Sequence, residues 1–164
     1  MWVRLGRVTA LQHISSFEEL DEVMSSLHDC PFDFDRTSLD DATGTWSGTF
    51  LRPLWEDPRA EHRGVSLLYV RSRLPVVEAT LTVSGVKSQS VIDDQGIGRY
   101  TFNEVERISN GLLLRFNEAM RIDLHLAGPI AATYDEQPLP GFCAIYRQFF
   151  LVQSGPVIEQ VLGT

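Results

Sequence analysis

Hydrophobic residues in this chain recur first with a helical period and then, from about residue 30 onward, with a period of two. Phe17, Leu20, Met24 and Leu27 are spaced three, four and three apart, which aligns them on one stripe of a helix. Ahead of them Ser16 and Glu19 make a capping box, the serine oxygen taking the backbone N–H of residue 19 while the glutamate reaches back. The spacing predicts an amphipathic helix from about Phe17 to Leu27. Pro31 bars its continuation and pushes Cys30 towards extended geometry.

Cys30, Phe32 and Phe34 then alternate with Asp33 and Asp35, and Trp46, Gly48 and Phe50 alternate with Thr45, Ser47 and Thr49, giving each segment one apolar and one polar face. Asp40, Asp41 and Gly44 supply turn chemistry between them, so a hairpin is expected. Residues 53–64, with two prolines, follow neither period and read as the main loop. Val65 to Arg71 resumes an extended pattern, and Val77, Ala79, Leu81 and Val83 alternate with Glu78, Thr80, Thr82 and Ser84. Asp93-Asp94-Gln95-Gly96 is a turn. Tyr100 and Phe102 begin a strand whose parity slips before Val105, which predicts a bulge near Asn103. Asn110-Gly111 carries the signature of a type I′ hairpin turn. It joins a strand ending near Ile108 to Leu112, Leu114 and Phe116, and Met120, Ile122, Leu124 and Leu126 complete a three-strand meander. Cys143 to Val152 is apolar on both parities, as in a strand covered on both sides; a buried helix matches the same run.

About eight to ten short strands with one helix predict a β-rich α+β fold, an antiparallel sheet or β-sandwich with one N-terminal amphipathic helix. At 164 residues, 43% apolar and 22% charged, the chain is expected to form a single domain over 1–164. Met1 to Leu11 holds Arg4 and Arg7 among isolated apolar residues, unlike a signal peptide. No apolar run approaches the ~20 residues that span a bilayer. These features predict a cytoplasmic protein with no membrane partner, in which Cys30 and Cys143 stay unpaired.

Charge narrows the choice of partner. The net charge of −8 repels a phosphate backbone, so nucleic acid is not an expected partner. Residues 15–62 hold twelve acids against three arginines, whereas the other 116 residues hold ten acids and eleven bases. This imbalance is either a solvated surface or a docking face for a basic protein.

Candidate chemistry is incomplete at every position. His28-Asp29-Cys30 has the residue types of an activated thiol, but strand parity starting at Asp29 turns Cys30 inward with Phe32 and Phe34 and Asp29 outward. Asp29, Asp33 and Asp35 share that outward face and Asp40 and Asp41 follow, yet no calcium-loop spacing is present. His13, His28, His62 and His125 lack zinc-site spacing, so no metal site is assigned. His125 and Asp123, beside Arg121, are an acid–base candidate or a polar row on a strand. Gly96-Ile97-Gly98 lacks the rest of a dinucleotide motif, there is no phosphate-binding P-loop and no G-x-S-x-G elbow, and no cofactor is expected. Of the tryptophans Trp2, Trp46 and Trp55, Trp46 has core parity, while Trp55 stands in the acidic, proline-containing loop.

The segment Leu27-His28-Asp29-Cys30, then Phe32-Asp33-Phe34, a turn and Trp46-Ser47-Gly48-Thr49-Phe50, resembles the start of several families of small uncharacterised bacterial β-rich proteins, including immunity-protein-like families. Strands of the Leu81 and Ile122 kind complete the sheet in such families. The resemblance implies a protein that binds another protein, and carries over no catalytic residues. With the residues themselves it gives the expectation of a non-enzymatic protein-binding module using its acidic segment and Trp55, Glu56, Asp57 and Glu61. Two alternatives remain: a small hydrolase or metal-dependent enzyme using His28 and Asp29 or His125 and Asp123, and a β domain that binds a small molecule.

Overall fold

The computed structural model describes residues 10–66, 69–94, 96, 100–117, 120–150 and 152–161. Trp2, with the rest of residues 1–9, and Ile97 and Gly98 lie outside this set. The described chain is mostly antiparallel β-sheet with one short helix. Its elements are β1 (Gln12–Ile14), α1 (Phe17–Ser25), β2 (Pro31–Asp40), β3 (Thr45–Pro53), β4 (Glu61–Ser66), β5 (Tyr69–Ser84), β6 (Val86–Ile92), β7 (Tyr100–Ile108), β8 (Gly111–Phe116), β9 (Arg121–Leu126), β10 (Ala132–Phe149) and β11 (Val152–Gln160). Hydrogen-bonded neighbours follow the order β1-β10-β5-β3-β2-β7-β8-β9-β6, with β4 paired to β5 and β11 to β10. Among the described residues no helix is long and apolar enough to cross a membrane.

Two compact units divide the chain. A core unit comprises Thr9–Leu51 and Ala79–Glu136; a hairpin unit includes Arg52–Glu78 and Gln137–Thr164. The hydrophobic cluster of the core unit contains the helix stripe Leu20, Val23, Met24 and Leu27 together with Trp46, Phe50, Leu81, Leu114 and Ile122. At its centre four phenylalanines from four strands close a ring of contacts. Phe32 meets Phe50 at 5.0 Å and Phe116 at 4.5 Å between centroids, and Phe102 meets Phe50 at 5.5 Å and Phe116 at 5.8 Å. Both Phe102 contacts are edge-on, the arrangement favoured by the ring quadrupole.

The helix starts where the spacing places it and ends at Ser25, so that Leu27 is buried from the turn that follows, and its cap differs in one contact. Ser16 Oγ accepts from Glu19 N at 3.2 Å, but the Glu19 carboxylate takes the N–H of Ser15 at 2.8 Å, one residue before the cap. A turn follows α1, and Asp29 adopts a left-handed φ of 62° there while its N–H bonds the Phe102 carbonyl at 2.8 Å. Strand geometry therefore begins at Pro31 and not at Asp29, which removes Asp29 from the face of Asp33 and Asp35. Cys30 and Phe32 are buried as their parity requires, but a register shift between Asp33 and Ser38 leaves Phe34 partly exposed against Tyr100.

The meander β7-β8-β9 forms in the expected register, including the irregularity between Phe102 and Glu104. Its hairpin turn differs in kind. Ile108 pairs with Gly111, so Ser109 and Asn110 make the loop, and Asn110 does not take the positive φ of a type I′ turn. Gly111 is needed for space, since a Cβ there would lie 1.8 Å from the Leu124 carbonyl oxygen. Gly48 has the same role under Trp46, whose ring would meet a Cβ at 2.4 Å.

Three strands carry no readable period: β4 within the expected 53–64 loop, the polar β6, and β11. Each ends a path of pairing in the strand order, where neither face is fully covered and alternation is not selected. The expected strand Val65–Arg71 accordingly divides between β4 and β5. Within the apolar run of β10, Cys143–Tyr146 is buried and Arg147–Phe149 is exposed, so double coverage ends four residues into it.

Truncating Phe102 to Ala opens the ring of aromatics and is expected to cost about 3–5 kcal/mol in chemical denaturation, whereas Phe34→Ala should cost less than about 1 kcal/mol.

Candidate functional site

The acid–base candidates of the sequence fall at two places in the core unit. His28 Nδ1 lies 3.1 Å from the Asp29 carboxylate on the turn after α1, with both side chains more than half exposed. Cys30, the third member of that triplet, points into the core instead. Asp123 and His125 lie on β9, where Asp123 faces Leu113 of β8 and Ser90 of β6 in register and Arg121 approaches it at 4.0 Å. No ion pair or hydrogen bond joins the two candidate pairs among the described residues. The arginine beside Asp123 belongs to a polar ladder across β7, β8 and β9, in which Arg115 forks onto Glu106 and also approaches Glu104 at 3.8 Å. Among the described residues no three His, Cys, Asp or Glu side chains are grouped to hold a metal ion. His13 is exposed on β1, and His62 bonds Ser72 Oγ at 2.9 Å.

The segment expected to bind, Trp55 to Glu61, lies in the hairpin unit and is built around a carboxylate. Leu54 is buried and its N–H bonds the Pro75 carbonyl at 2.9 Å, which anchors the start of the loop. Asp57 then closes the loop on itself. Its Oδ1 accepts the Arg59 backbone N–H at 2.8 Å and Nε at 2.9 Å, and its Oδ2 accepts a terminal guanidinium nitrogen at 3.0 Å. The side-chain bond from Arg59 holds the Asp57 carboxyl below the usual carboxylate range, against a smaller opposing effect of burial. Asp57 is thus a buried, paired anchor, while Glu56 is exposed. Trp55 packs against Tyr146 at 4.5 Å and stacks parallel to His62 at 6.5 Å, leaving 40% of its surface exposed.

Glu61 opens β4 and borders a cleft of about 490 Å³ within the hairpin unit. Leu54, Leu74, Pro140 and Phe142 contribute apolar walls, and Arg59 and Arg73 contribute charge. Cys143 lines it as well, and its sulfur accepts from Arg73 Nε at 3.2 Å.

At the other end of the same unit, β10 and β11 form a hairpin whose last pair is Phe149 with Val152. Phe149, Phe150 and Val152 are 61%, 62% and 69% exposed. Six of the nine large apolar side chains exposed among the described residues belong to the hairpin unit, three of them at this tip. Phe150 also has a left-handed φ of 56°, a conformation that costs a non-glycine residue roughly 1–2 kcal/mol. The sequence reading placed this run in the interior. The signal against that placement was Arg147 and Gln148 on one side and Gln153 on the other, since a strand buried on both faces does not carry such a polar flank.

Charge separates along the same division. By sequence, the ranges of the core unit hold seventeen acids and six bases, while 52–78 and 137–164 hold five acids and six arginines. Nine of the twelve acids in residues 15–62 belong to the core unit, and Glu56, Asp57 and Glu61 do not.

No family model, no curated protein and no solved structure matches this chain.

Because the Asp57 carboxyl titrates lower in the folded than in the unfolded chain, its contribution is present above the unfolded value near ~4 and is lost as pH falls through the depressed folded value. Asp57→Asn is expected to lower stability at neutral pH by about 1 kcal/mol, with the gap to the unsubstituted protein closing in acid; urea denaturation at a series of pH values measures both.

Proposed function

We propose that this chain is a non-enzymatic cytoplasmic module that binds a basic protein, as the resemblance to immunity-protein-like families implies. The observation that carries the reading is the apolar end of the β10–β11 hairpin, where Phe149, Phe150 and Val152 leave most of their surface in water. An exposed apolar patch of this kind has a cost in solubility and contributes nothing to its own fold, and such patches mark interaction surfaces. Trp55, already braced by Tyr146 and His62, adds a rigid aromatic contact, and tryptophan is enriched among the residues that dominate binding energy. The net charge of −8 favours a partner of opposite sign and accelerates encounter with it.

The cleft beside Glu61 favours a second reading, binding of a small apolar molecule, because its volume and apolar walls match those of ligand pockets. A ligand seated there would raise the melting temperature by mass action.

Phe150→Gly separates the binding role from a structural one. Glycine accepts the left-handed φ without strain, so the variant should be as stable as the original protein or more stable by about 1 kcal/mol. It should nevertheless lose at least about 90% of a basic protein that co-purifies stoichiometrically with the original chain, a loss expected of a central aromatic contact. Val91→Ser, which alters an exposed apolar residue of the core unit, should retain that protein, and its association should slow as salt is raised. Retention by Phe150→Gly, or sedimentation of the original chain with lipid vesicles in place of a protein partner, would overturn the reading.

A further inference from the structure

The pairing of β4 with β5 places Glu61 opposite Arg73 and Arg63 opposite Arg71. By the period of two, these four residues share one face of the ribbon, and His62 with Ser72 occupies the other. The four side chains alone line a concavity of about 110 Å³. A concavity of this size admits a compact anion together with water. Three guanidinium groups and the Glu61 carboxylate line this open concavity, and the Glu159 carboxylate lies 3.8 Å from Arg71.

Two features of this group bear on what it holds, and the first occurs also where Arg115 faces Arg121 across β8 and β9. Arg63 and Arg71 face each other directly, and like charges directly opposite in an antiparallel pair destabilise it. The pairing of these arginines with carboxylates is also loose. Arg63 approaches Glu61 at 3.3 Å and Arg71 approaches Glu159 at 3.8 Å, with no hydrogen bond in either contact. Elsewhere in this chain an arginine that holds a structural carboxylate forks onto it, as Arg59 does on Asp57 and Arg115 on Glu106. Among the described residues Arg73 donates its Nε–H to the Cys143 sulfur, a weak acceptor, and its charge also interacts with Glu61 and Glu159. Among the described residues, the side-chain hydrogen bonds of these three guanidiniums, which carry five N–H donors each, come to the one from Arg73 to Cys143.

We propose that Arg63, Arg71 and Arg73 form a binding site for a tetrahedral oxyanion, taken either as the free ion or as a phosphate monoester, with Glu61 as the built-in competitor that limits its affinity. A phosphate or sulfate offers several acceptor oxygens at once, and planar guanidinium groups match them in pairs. Bound between Arg63 and Arg71, the anion removes the repulsion across the strand pair. Glu61 occupies the same concavity with one negative charge, so the anion must displace it from Arg63.

Calorimetric titration with inorganic phosphate at low ionic strength tests this on the intact chain, since exposed charges are screened within ~10 Å at 0.1 M salt. Saturable one-to-one binding is expected. Arg71→Ala should weaken it about tenfold, the loss of one charge-assisted contact. Glu61→Gln, which removes the competitor, should strengthen it about fivefold. A site that is merely structural would not gain affinity in Glu61→Gln. Sulfate should compete with phosphate, and comparison with phenyl phosphate distinguishes the source: tighter binding of the ester assigns an organic phosphate, and tighter binding of the free ion assigns the ion itself. No saturable binding, or equal affinity in the original chain, Arg71→Ala and Glu61→Gln, would overturn the proposal. These titrations contain no protein partner, so their outcome is independent of the reading of the hairpin tip.

Discussion

Four phenylalanine rings packed against one another hold the core unit in one register. Phe32, Phe50, Phe102 and Phe116 come from β2, β3, β7 and β8, and each touches two of the others. A slip of one residue in any of these strands would turn its phenylalanine to the opposite face and open the ring. The chain spacing around the ring follows from this constraint. Phe102 is the residue at which β7 shifts register, and its two backbone groups tie it to residues 29 and 30, so the end of α1 is fixed to the same point. The helix stripe then covers the cluster with Leu20, Met24 and Leu27, all fully buried. With this much of the core unit committed to packing, His28 and Asp29 are left exposed on a turn, while Asp123 on β9 is half-buried.

Legibility in the sequence follows the same physics. The alternation of Val77, Ala79, Leu81 and Val83 was readable because one face of that strand meets a core and the other does not. The β2–β3 hairpin and the bulge beside Asn103 were readable for the same reason. Strands β4, β6 and β11 were not, because an end strand with little coverage has no face that selection must keep apolar. Phe149, Phe150 and Val152 were misplaced for the converse reason: hydrophobicity registers a demand for burial without saying whether the chain itself or another molecule supplies it. At the candidate site, residues 55–61 stood out through their lack of period. Arg71 and Arg73, ten and twelve residues beyond Glu61, did not stand out, since only the pairing of β4 with β5 brings them together.

Arginine behaves in two distinct ways in this chain, and the difference carries the chemical reading of the hairpin unit. Arg59 is spent locally: its fork on Asp57, with the backbone N–H of the same residue, closes a loop whose other anchor is the buried Leu54. Arg63, Arg71 and Arg73 make looser contacts, with Glu61, with Glu159 of β11 and with the Cys143 sulfur of β10, and the facing of Arg63 and Arg71 is unfavourable to their strand pair. The first arginine is accounted for by loop closure, and the looser contacts of the other three are what the proposed oxyanion site rests on.

The same comparison applies to Phe150. A residue at a hairpin turn with positive φ is commonly glycine or asparagine, which enter that conformation at little cost and stay in water willingly. Phenylalanine fails both criteria here, being sterically strained at φ 56° and 62% exposed. Two unfavourable terms fall at one position, and among the described residues the ring stays mostly exposed, which is the ground for proposing that another molecule covers it. The hairpin unit combines this apolar end with nearly balanced charge, while the acids gather in the core unit. On the proposed reading, long-range attraction and short-range contact would come from different parts of the chain: the first would depend on salt and set how fast a basic partner is found, and the second would depend on buried apolar area and set how long it stays.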